Sequence, residues 1–163
     1  MAKEKIRKPS GLKSDGTPNV HWKRFKNRLI EYSNKPVSSW TSEEILGHIL
    51  KRYREFSGNE FTLSYSGAPT KCSEIYCTNR MIHALGSENN AEVSKEYIDW
   101  VFDTVIIPQN ISINSIAFFF TSNLIQKFKA EARKRRKLTR ATQLPAYIEE
   151  VTKTLDINYI WRF

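Results

Sequence analysis

The chain has little of what secreted and membrane proteins use. Two cysteines among 163 residues, Cys72 and Cys77, fit a reducing compartment better than a disulfide framework. The opening residues MAKEKIRKPSGLKSDG contain no apolar stretch of the kind that a secretory signal requires. No window approaches the ~18 apolar residues that span a bilayer. We therefore expect an intracellular, cytoplasmic protein that does not associate with membranes.

Sequence motifs of common catalytic and cofactor sites are also missing. There is no Walker loop, no glycine-rich dinucleotide turn, no nucleophile elbow and no HExxH. Cys72 and Cys77 are spaced nearly as in structural zinc sites and His83 follows them, but His21 and His48 show no pairing. We interpret the two thiols as small buried side chains. We expect no metal site, no cofactor and no catalytic residue, and hence a protein that is not an enzyme.

Glycine and proline are scarce, with six of each, so long irregular stretches should be limited. Four tryptophans, seven tyrosines and nine phenylalanines are enough to build a core and argue against wholesale disorder. Apolar residues recur every three to four positions, which predicts a mainly α-helical, compact domain of about five to six helices. Residues 60–65 are either a short strand or an extended connection. We divide the chain into a flexible basic arm (1–19), a helical domain (20–155) and an aromatic tail (156–163).

Residues that are typical of helix ends predict where each helix begins and ends. Thr41 and Glu44 have the spacing of a capping box, and Gly58 is placed to end the helix that they begin. The other predicted helices run over about 20–33, from a cap at Thr70 to Gly86, over about 91–106 with Pro108 as its end, from near 112 to 138, and to about 155. The helix from 112 to 138 would be the long central one and would reach about 40 Å.

Positive charge is concentrated in two segments. Residues 1–28 and 127–140 each carry +7 within a net charge of +9, which leaves −5 for the rest of the chain. Segregated positive charge is what a surface for a polyanion requires. A basic patch can equally face a membrane or an acidic protein, so charge alone does not choose the partner.

We predict that the segment 127–140 contacts the phosphates of nucleic acid, DNA in preference to RNA. Glu131 is its one acidic residue and cannot neutralise the cations around it. The alternatives are an acidic protein partner and a solvated helix end, where the helix dipole favours cations. The predicted contacts are Lys127, Lys129, Arg133, Lys134, Arg135, Arg136, Lys137 and Arg140, assisted by Lys23, Arg24, Lys26 and Arg28. Trp22 and Phe25 lie beside the assisting residues, but their helical spacing favours the core over stacking on bases.

An acidic row on one predicted helix has two interpretations. Its members are Glu92, Glu96, Asp99 and Asp103. Carboxylates that hold metal ions in a nuclease normally converge from several elements. This row instead faces away from an apolar stripe, as a solvated surface would. A metal-dependent nuclease is therefore our third hypothesis, behind nucleic-acid binding and protein binding.

The C-terminal residues are unusually aromatic, since chain ends are normally polar. Tyr159, Trp161 and Phe163 either fold onto the core or dock in the groove of a partner protein. Together with the acidic row, they motivate a second hypothesis, an adaptor that docks on a polymerase, helicase or clamp.

Three segments carry a resemblance to known proteins. Tyr53-Arg-Glu-Phe-Ser-Gly58-Asn-Glu-Phe61 is followed by Glu96-Tyr-Ile-Asp-Trp100-Val-Phe102 and by a helix rich in phenylalanine. Together they resemble a helical arrangement in phage-encoded accessory proteins of DNA replication or transcription. The resemblance covers roughly residues 42–128. It implies an accessory role in viral DNA metabolism, in the cytoplasm of a host cell, and assigns no catalytic residue.

Overall fold

The computed structural model of the chain describes residues 13, 15–64 and 72–139. The chain divides between Ile125 and Gln126 into two units. Residues 122–139 are helical and cross this division; they are named α6. No β-strand occurs over the described ranges, so the prediction of a mainly α-helical protein is confirmed. The remaining helices, all in the first unit, are α1 (Val20–Glu31), α2 (Ser42–Ser57), α3 (Ser73–Leu85), α4 (Ala91–Val101) and α5 (Ile107–Gln109).

The first unit is built around large side chains that its helices bury. Trp22 and Phe25 of α1 are completely buried and meet edge to face, with ring centroids 5.7 Å apart. Their interpretation as core residues is therefore confirmed. The buried Tyr97 hydroxyl of α4 donates a hydrogen bond to the carbonyl oxygen of Phe119 at 2.7 Å. This bond joins α4 to the 3₁₀ turn Ile116–Phe120 and satisfies a polar group that burial would otherwise penalise.

Local signals place most helix ends correctly. The amide of Thr41 donates to the Glu44 carboxylate at 2.8 Å, which completes the predicted capping box of α2. Gly58 and Gly86 end α2 and α3 in the left-handed conformation, with φ of 71° and 69°. The cap of α3 is different from the prediction, because Cys72 occupies it, while Thr70 lies outside the described residues.

The prediction of one helix from 112 to 138 is wrong. The Ser115 hydroxyl accepts from the amide of Ala117 at 3.1 Å and begins the 3₁₀ turn. Thr121 is extended, with φ −63° and ψ 131°, and separates that turn from α6. Apolar spacing runs through the break, because a 3₁₀ turn also returns to the same side after three residues. The described length of α6 is therefore about 27 Å at 1.5 Å per residue, instead of about 40 Å.

Pro108 does not end the helix that precedes it. The segment Phe102–Ile106 continues α4 as a π-helix, in which the amide of Ile107 donates to the carbonyl of Phe102. Pro108 then lies in the first turn of α5, where a missing N–H group costs little. Asn110, in the left-handed conformation with φ of 50°, ends α5 and with it the succession of helical segments that began with α4.

Helix α2 lies very close to α1 at Gly47. A Cβ atom on Gly47 would lie 2.5 Å from the carbonyl oxygen of Leu29 and 2.9 Å from Cδ1 of Tyr32. Both distances are shorter than non-bonded contacts allow, and the first involves backbone, which cannot rotate away. Only glycine is compatible with this helix crossing.

We expect Gly47→Ala to destabilise the protein by about 1–3 kcal/mol, because the added methyl group forces α1 and α2 apart. The better helix propensity of alanine offsets about 1 kcal/mol of a larger steric cost. Urea denaturation measures the change, with the exposed Arg54→Ala in the same helix as control. Equal stabilities for the two variants would contradict the steric account.

Several predictions fall outside the described residues. They are the arm over 1–12, the short helix ending near 155, and the tail with Tyr159, Trp161 and Phe163. Residues 60–64 are described and form no strand, which leaves the extended connection over that range. No described helix is both long enough and apolar enough to cross a membrane.

Candidate nucleic-acid interface

Helix α6 presents its cations to solvent. Residues 133–137, which are Arg-Lys-Arg-Arg-Lys, are all exposed, and so is Lys127. Lys129 is half-buried. The side chains buried on this helix are Leu124, Ile125 and Phe128. A helix that buries its apolar stripe and exposes its cations has the amphipathic pattern of a surface helix rather than of a central core helix.

The cations of α6 occupy most of the circumference that its apolar stripe leaves free. Arg135 lies on the stripe side and is paired with Glu131, one turn earlier, at 2.7 Å. At about 100° per residue, the other cations spread over roughly half of the helix surface. They are Lys127, Lys129, Arg133, Lys134, Arg136 and Lys137. The one acid of the segment therefore neutralises the cation that faces away from the rest.

This spacing makes the cationic face of α6 unfavourable by itself. Arg133, Lys134, Arg136 and Lys137 lie within about 10 Å of one another, which is the distance over which charges interact at physiological salt. Phosphate groups along a nucleic-acid backbone relieve the repulsion and release their own counterions at the same time. Arg140, the last predicted contact, lies outside the described residues.

The four predicted contacts on α1 are not equivalent. Arg28 is 3.2 Å from the Glu43 carboxylate, and Lys26 is 3.7 Å from that of Glu60. Lys23 and Arg24 are exposed and make no ion pair with other described residues. Lys23 and Arg24 are therefore the better placed of the four to contact a polyanion.

A guanidinium group on α3 makes cation–π contacts with two aromatic rings, which was not predicted from the sequence. The Cζ atom of Arg80 is 5.7 Å from the ring centroid of Tyr76 and 5.2 Å from that of Phe120. Arg80 also donates a hydrogen bond to the Tyr76 hydroxyl at 2.9 Å. Tyr76 is 58% exposed, so much of its side chain is accessible to solvent. The four-residue spacing of Tyr76 and Arg80 was visible in the sequence, but the approach of Phe120 was not.

The acidic row on α4 and its continuation is only partly a solvated face. Glu92, Glu96 and Asp103 are exposed, as expected. Asp99 is different, because its carboxylate lies 2.8 Å from Nε2 of His48 and 2.6 Å from Nζ of Lys95. The interpretation of Asp99 as a solvated residue is therefore wrong.

Asp99 is the centre of a hydrogen-bonded network between α2 and α4. His48 is buried, and its other ring nitrogen, Nδ1, lies 3.2 Å from the Tyr32 hydroxyl. Because a carboxylate only accepts hydrogen bonds, Nε2 of His48 carries the proton that faces Asp99. Arg52 pairs with both Asp103 and Asp99. The network holds α2 against α4 and the π-helix that continues it, through pairs of side chains that are 51 residues apart in the chain.

Burial and pairing act in opposite directions on the pKa of Asp99. Burial raises it, but hydrogen bonds from His48 and Lys95 outweigh burial and lower the pKa to about 2. Burial raises the pKa of the Tyr32 hydroxyl to about 12, with the nearby Glu55 and Asp99 charges adding to the effect. Both shifts hold the network in the form with a charged carboxylate and a neutral phenol at neutral pH.

Cys72 and Cys77 do not form a cluster with a histidine among the described residues. Cys72 is buried and Cys77 half-buried, and neither forms a disulfide. Burial raises the pKa of the Cys72 thiol to about 11, which keeps it protonated. His83 is exposed and pairs with Glu88 at 3.0 Å. Over the described ranges, no group of three or more His, Cys, Asp or Glu side chains is arranged to hold a metal ion.

Two features thus bear on binding a polyanion: the exposed cations of α6, and Lys23 and Arg24 on α1. Tyr76, which Arg80 contacts, adds an exposed ring on another helix. A scan against models of protein families, a search of curated proteins and a search of solved structures each found no match to this chain.

Proposed function

We propose that the protein is a non-enzymatic accessory factor that binds nucleic acid through the cationic face of α6. The observation that carries the proposal is that five consecutive exposed residues of this helix are basic, while its one acid pairs with a cation on the opposite side. The resemblance to phage-encoded accessory proteins supports a role in viral DNA replication or transcription, in the cytoplasm of a host cell.

Phosphate contacts of this kind hold a protein on a backbone without reading its bases. We therefore propose binding that depends strongly on salt and weakly on sequence. Lys23 and Arg24 add contacts from α1, and DNA is favoured over RNA by the resemblance alone.

The proposal is tested by titrating fluorescently labelled DNA and RNA with the full chain at two salt concentrations. With about six phosphate contacts, we expect the affinity to fall about 1,000-fold between 50 and 200 mM salt. Even non-specific binders hold nucleic acid at low salt. An absence of binding to every labelled polymer at ~50 mM salt would exclude the proposal.

The exposed ring of Tyr76 predicts tighter binding of single strands, since only unpaired bases offer a face for stacking. We expect Tyr76→Ala to lower the affinity for single-stranded DNA about five-fold or more, the effect of losing one stacked base. Tyr76→Phe keeps the ring and should change the affinity less than two-fold. Fluorescence anisotropy with a single-stranded and a duplex oligonucleotide measures both variants. Equal losses for the two oligonucleotides would refute a stacking role.

The adaptor hypothesis remains a second proposal. The exposed carboxylates of Glu92 and Glu96 favour it, because they offer an acidic surface on the same unit that carries Lys23 and Arg24. The aromatic tail is tested by comparing the full chain with a chain truncated after Leu155 in a pull-down on replication and transcription proteins. Equal recovery of partners, with the truncated chain still folded, would exclude the tail as the docking element.

A further inference from the structure

A groove of about 440 Å³ lies between α1, the 3₁₀ turn that follows it, α2 and residues 60–63. Its volume is within the range of about 300–1,000 Å³ that is usual for binding pockets. The floor is apolar, and Gly47, which has no side chain, lies in its wall. The side chains of the floor are Leu29, Ile30, Leu50, Phe61 and Leu63.

The rim of the groove is positively charged. Lys26, Lys51 and Arg54 line it together with a single acid, Glu60. The pairs that Lys26 makes with Glu60, at 3.7 Å, and Lys51 with Glu55, at 3.9 Å, are long and solvent-exposed. Such pairs contribute little and exchange easily. Arg54 is exposed and makes no ion pair with any other described residue.

Ile30 stands at the edge of the groove with 66% of its surface exposed. Ile30 follows the buried Leu29 on α1, and both line the groove. The apolar lining of the groove therefore extends to the protein surface. Exposed apolar surface that is bordered by polar residues is characteristic of binding sites.

We propose that this groove binds a short acidic segment of a partner protein. A bulky apolar side chain of that segment would cover the floor from Ile30 to Leu50, and its carboxylates would pair with Lys51 and Arg54. An amphipathic peptide in a groove between two helices is a common mode of recognition. The charge of the rim selects acidic segments, because carboxylates gain charge-assisted hydrogen bonds there.

Nucleic acid fits the groove less well. Single-stranded nucleic acid binds on exposed aromatic rings, several in succession. Two rings line the groove, Tyr32 and Phe61. Tyr32 is only 4% exposed, and Phe61 already packs edge to face against Tyr53, with centroids 5.3 Å apart. A phosphate backbone along the rim would leave the aliphatic floor uncovered. None of the residues that line the groove lies on α6, so its role is independent of that of α6.

The test uses a random library of 12-residue peptides displayed on phage and selected against the full chain. We expect the enriched peptides to be acidic and to share at least one bulky apolar residue. A synthetic copy of the most enriched peptide should bind at least 10-fold more weakly to a Lys51→Glu, Arg54→Glu double variant and to Ile30→Asp. All three positions are at the surface of the groove, so the variants should remain folded, which thermal unfolding by circular dichroism checks.

The control variant is Arg136→Glu on α6. It should weaken DNA binding and leave peptide binding within two-fold of the original, so that the two proposals succeed or fail separately. The proposal is overturned if no peptide is enriched, if the enriched peptides carry no excess of acidic residues, or if the groove variants bind the peptide unchanged. A loss of DNA binding by the groove variants without a loss of peptide binding would overturn it as well.

Discussion

Alanine substitution of four exposed cations of α6 should weaken the binding of duplex DNA by about 100- to 1,000-fold at 0.15 M salt. Each phosphate contact contributes about 0.9 to the slope of log affinity against log salt, so losing four should reduce the slope by about 3.6. Anisotropy titrations at four salt concentrations give both quantities. The four residues are Arg133, Lys134, Arg136 and Lys137.

A matched pair of single variants separates phosphate contact from loss of net charge. Arg136→Ala removes a cation from the exposed face, whereas Arg135→Ala removes one that is paired with Glu131. Both lower the net charge by one, but only Arg136→Ala should reduce the salt slope, by about 0.9. Alanine is the best helix former, so neither change should unfold α6. If the two variants bind DNA identically, the cationic face has no special role.

Acid should remove roughly 6 kcal/mol of folding free energy through the protonation of two carboxylates, at 1.36 kcal/mol per unit of pKa shift. The pKa of Asp99 is lowered from 3.8 to about 2 by His48 and Lys95, against the opposing effect of burial. That of Glu44 is lowered from 4.5 to about 2 by Lys35 and Thr41, again against burial. Because the folded pKa lies below the unfolded one, the stabilisation is present above about pH 4.5 and is lost as the pH falls toward 2.

The measurement is the free energy of unfolding in urea between pH 7 and pH 2.5. Asp99→Asn with Glu44→Gln should be less stable than the original chain by roughly 6 kcal/mol at pH 7. The difference should shrink steadily below about pH 4.5. Glu92→Gln, at an exposed position of α4, is the control and should track the original chain at every pH. A constant difference across the pH range would mean that the two carboxylates stabilise the fold by packing instead of by charge.

Asp99→Asn also bears on the nuclease hypothesis. Asp99 is occupied by His48, Lys95 and Arg52, and three positively charged or donor groups around one carboxylate compete with a metal ion for its oxygens. The variant should therefore change stability without abolishing any metal-dependent cleavage of DNA. Loss of such an activity in a folded variant would restore the third hypothesis.

Helix ends that depend on neighbouring residues could be predicted well. The capping box of Thr41 and Glu44 and the stops at Gly58 and Gly86 involve groups no more than five residues apart. The wrong prediction of α-helix between 112 and 121 also came from a local pattern, because the apolar spacing there fits a 3₁₀ turn and an α-helix alike. Only the extended Thr121 separates the two elements. Its residue type is a common N-cap, and its carbonyl accepts from the amide of Ile125, but this one signal was outweighed by the continuous apolar spacing.

The charge of α6 was evident in the sequence because five basic residues in succession cannot share one buried face. The sequence also determined the helical class, the burial of Trp22 and Phe25, and the position of α2, since each follows from spacing along a single helix. The tertiary structure alone decided the network of His48 and Asp99 and the contact of Arg80 with the ring of Phe120. It alone also decided the groove, whose helices approach each other because Gly47 has no side chain. Each of these joins residues distant in the chain, and such pairs are selected by packing, which no local pattern of residues encodes.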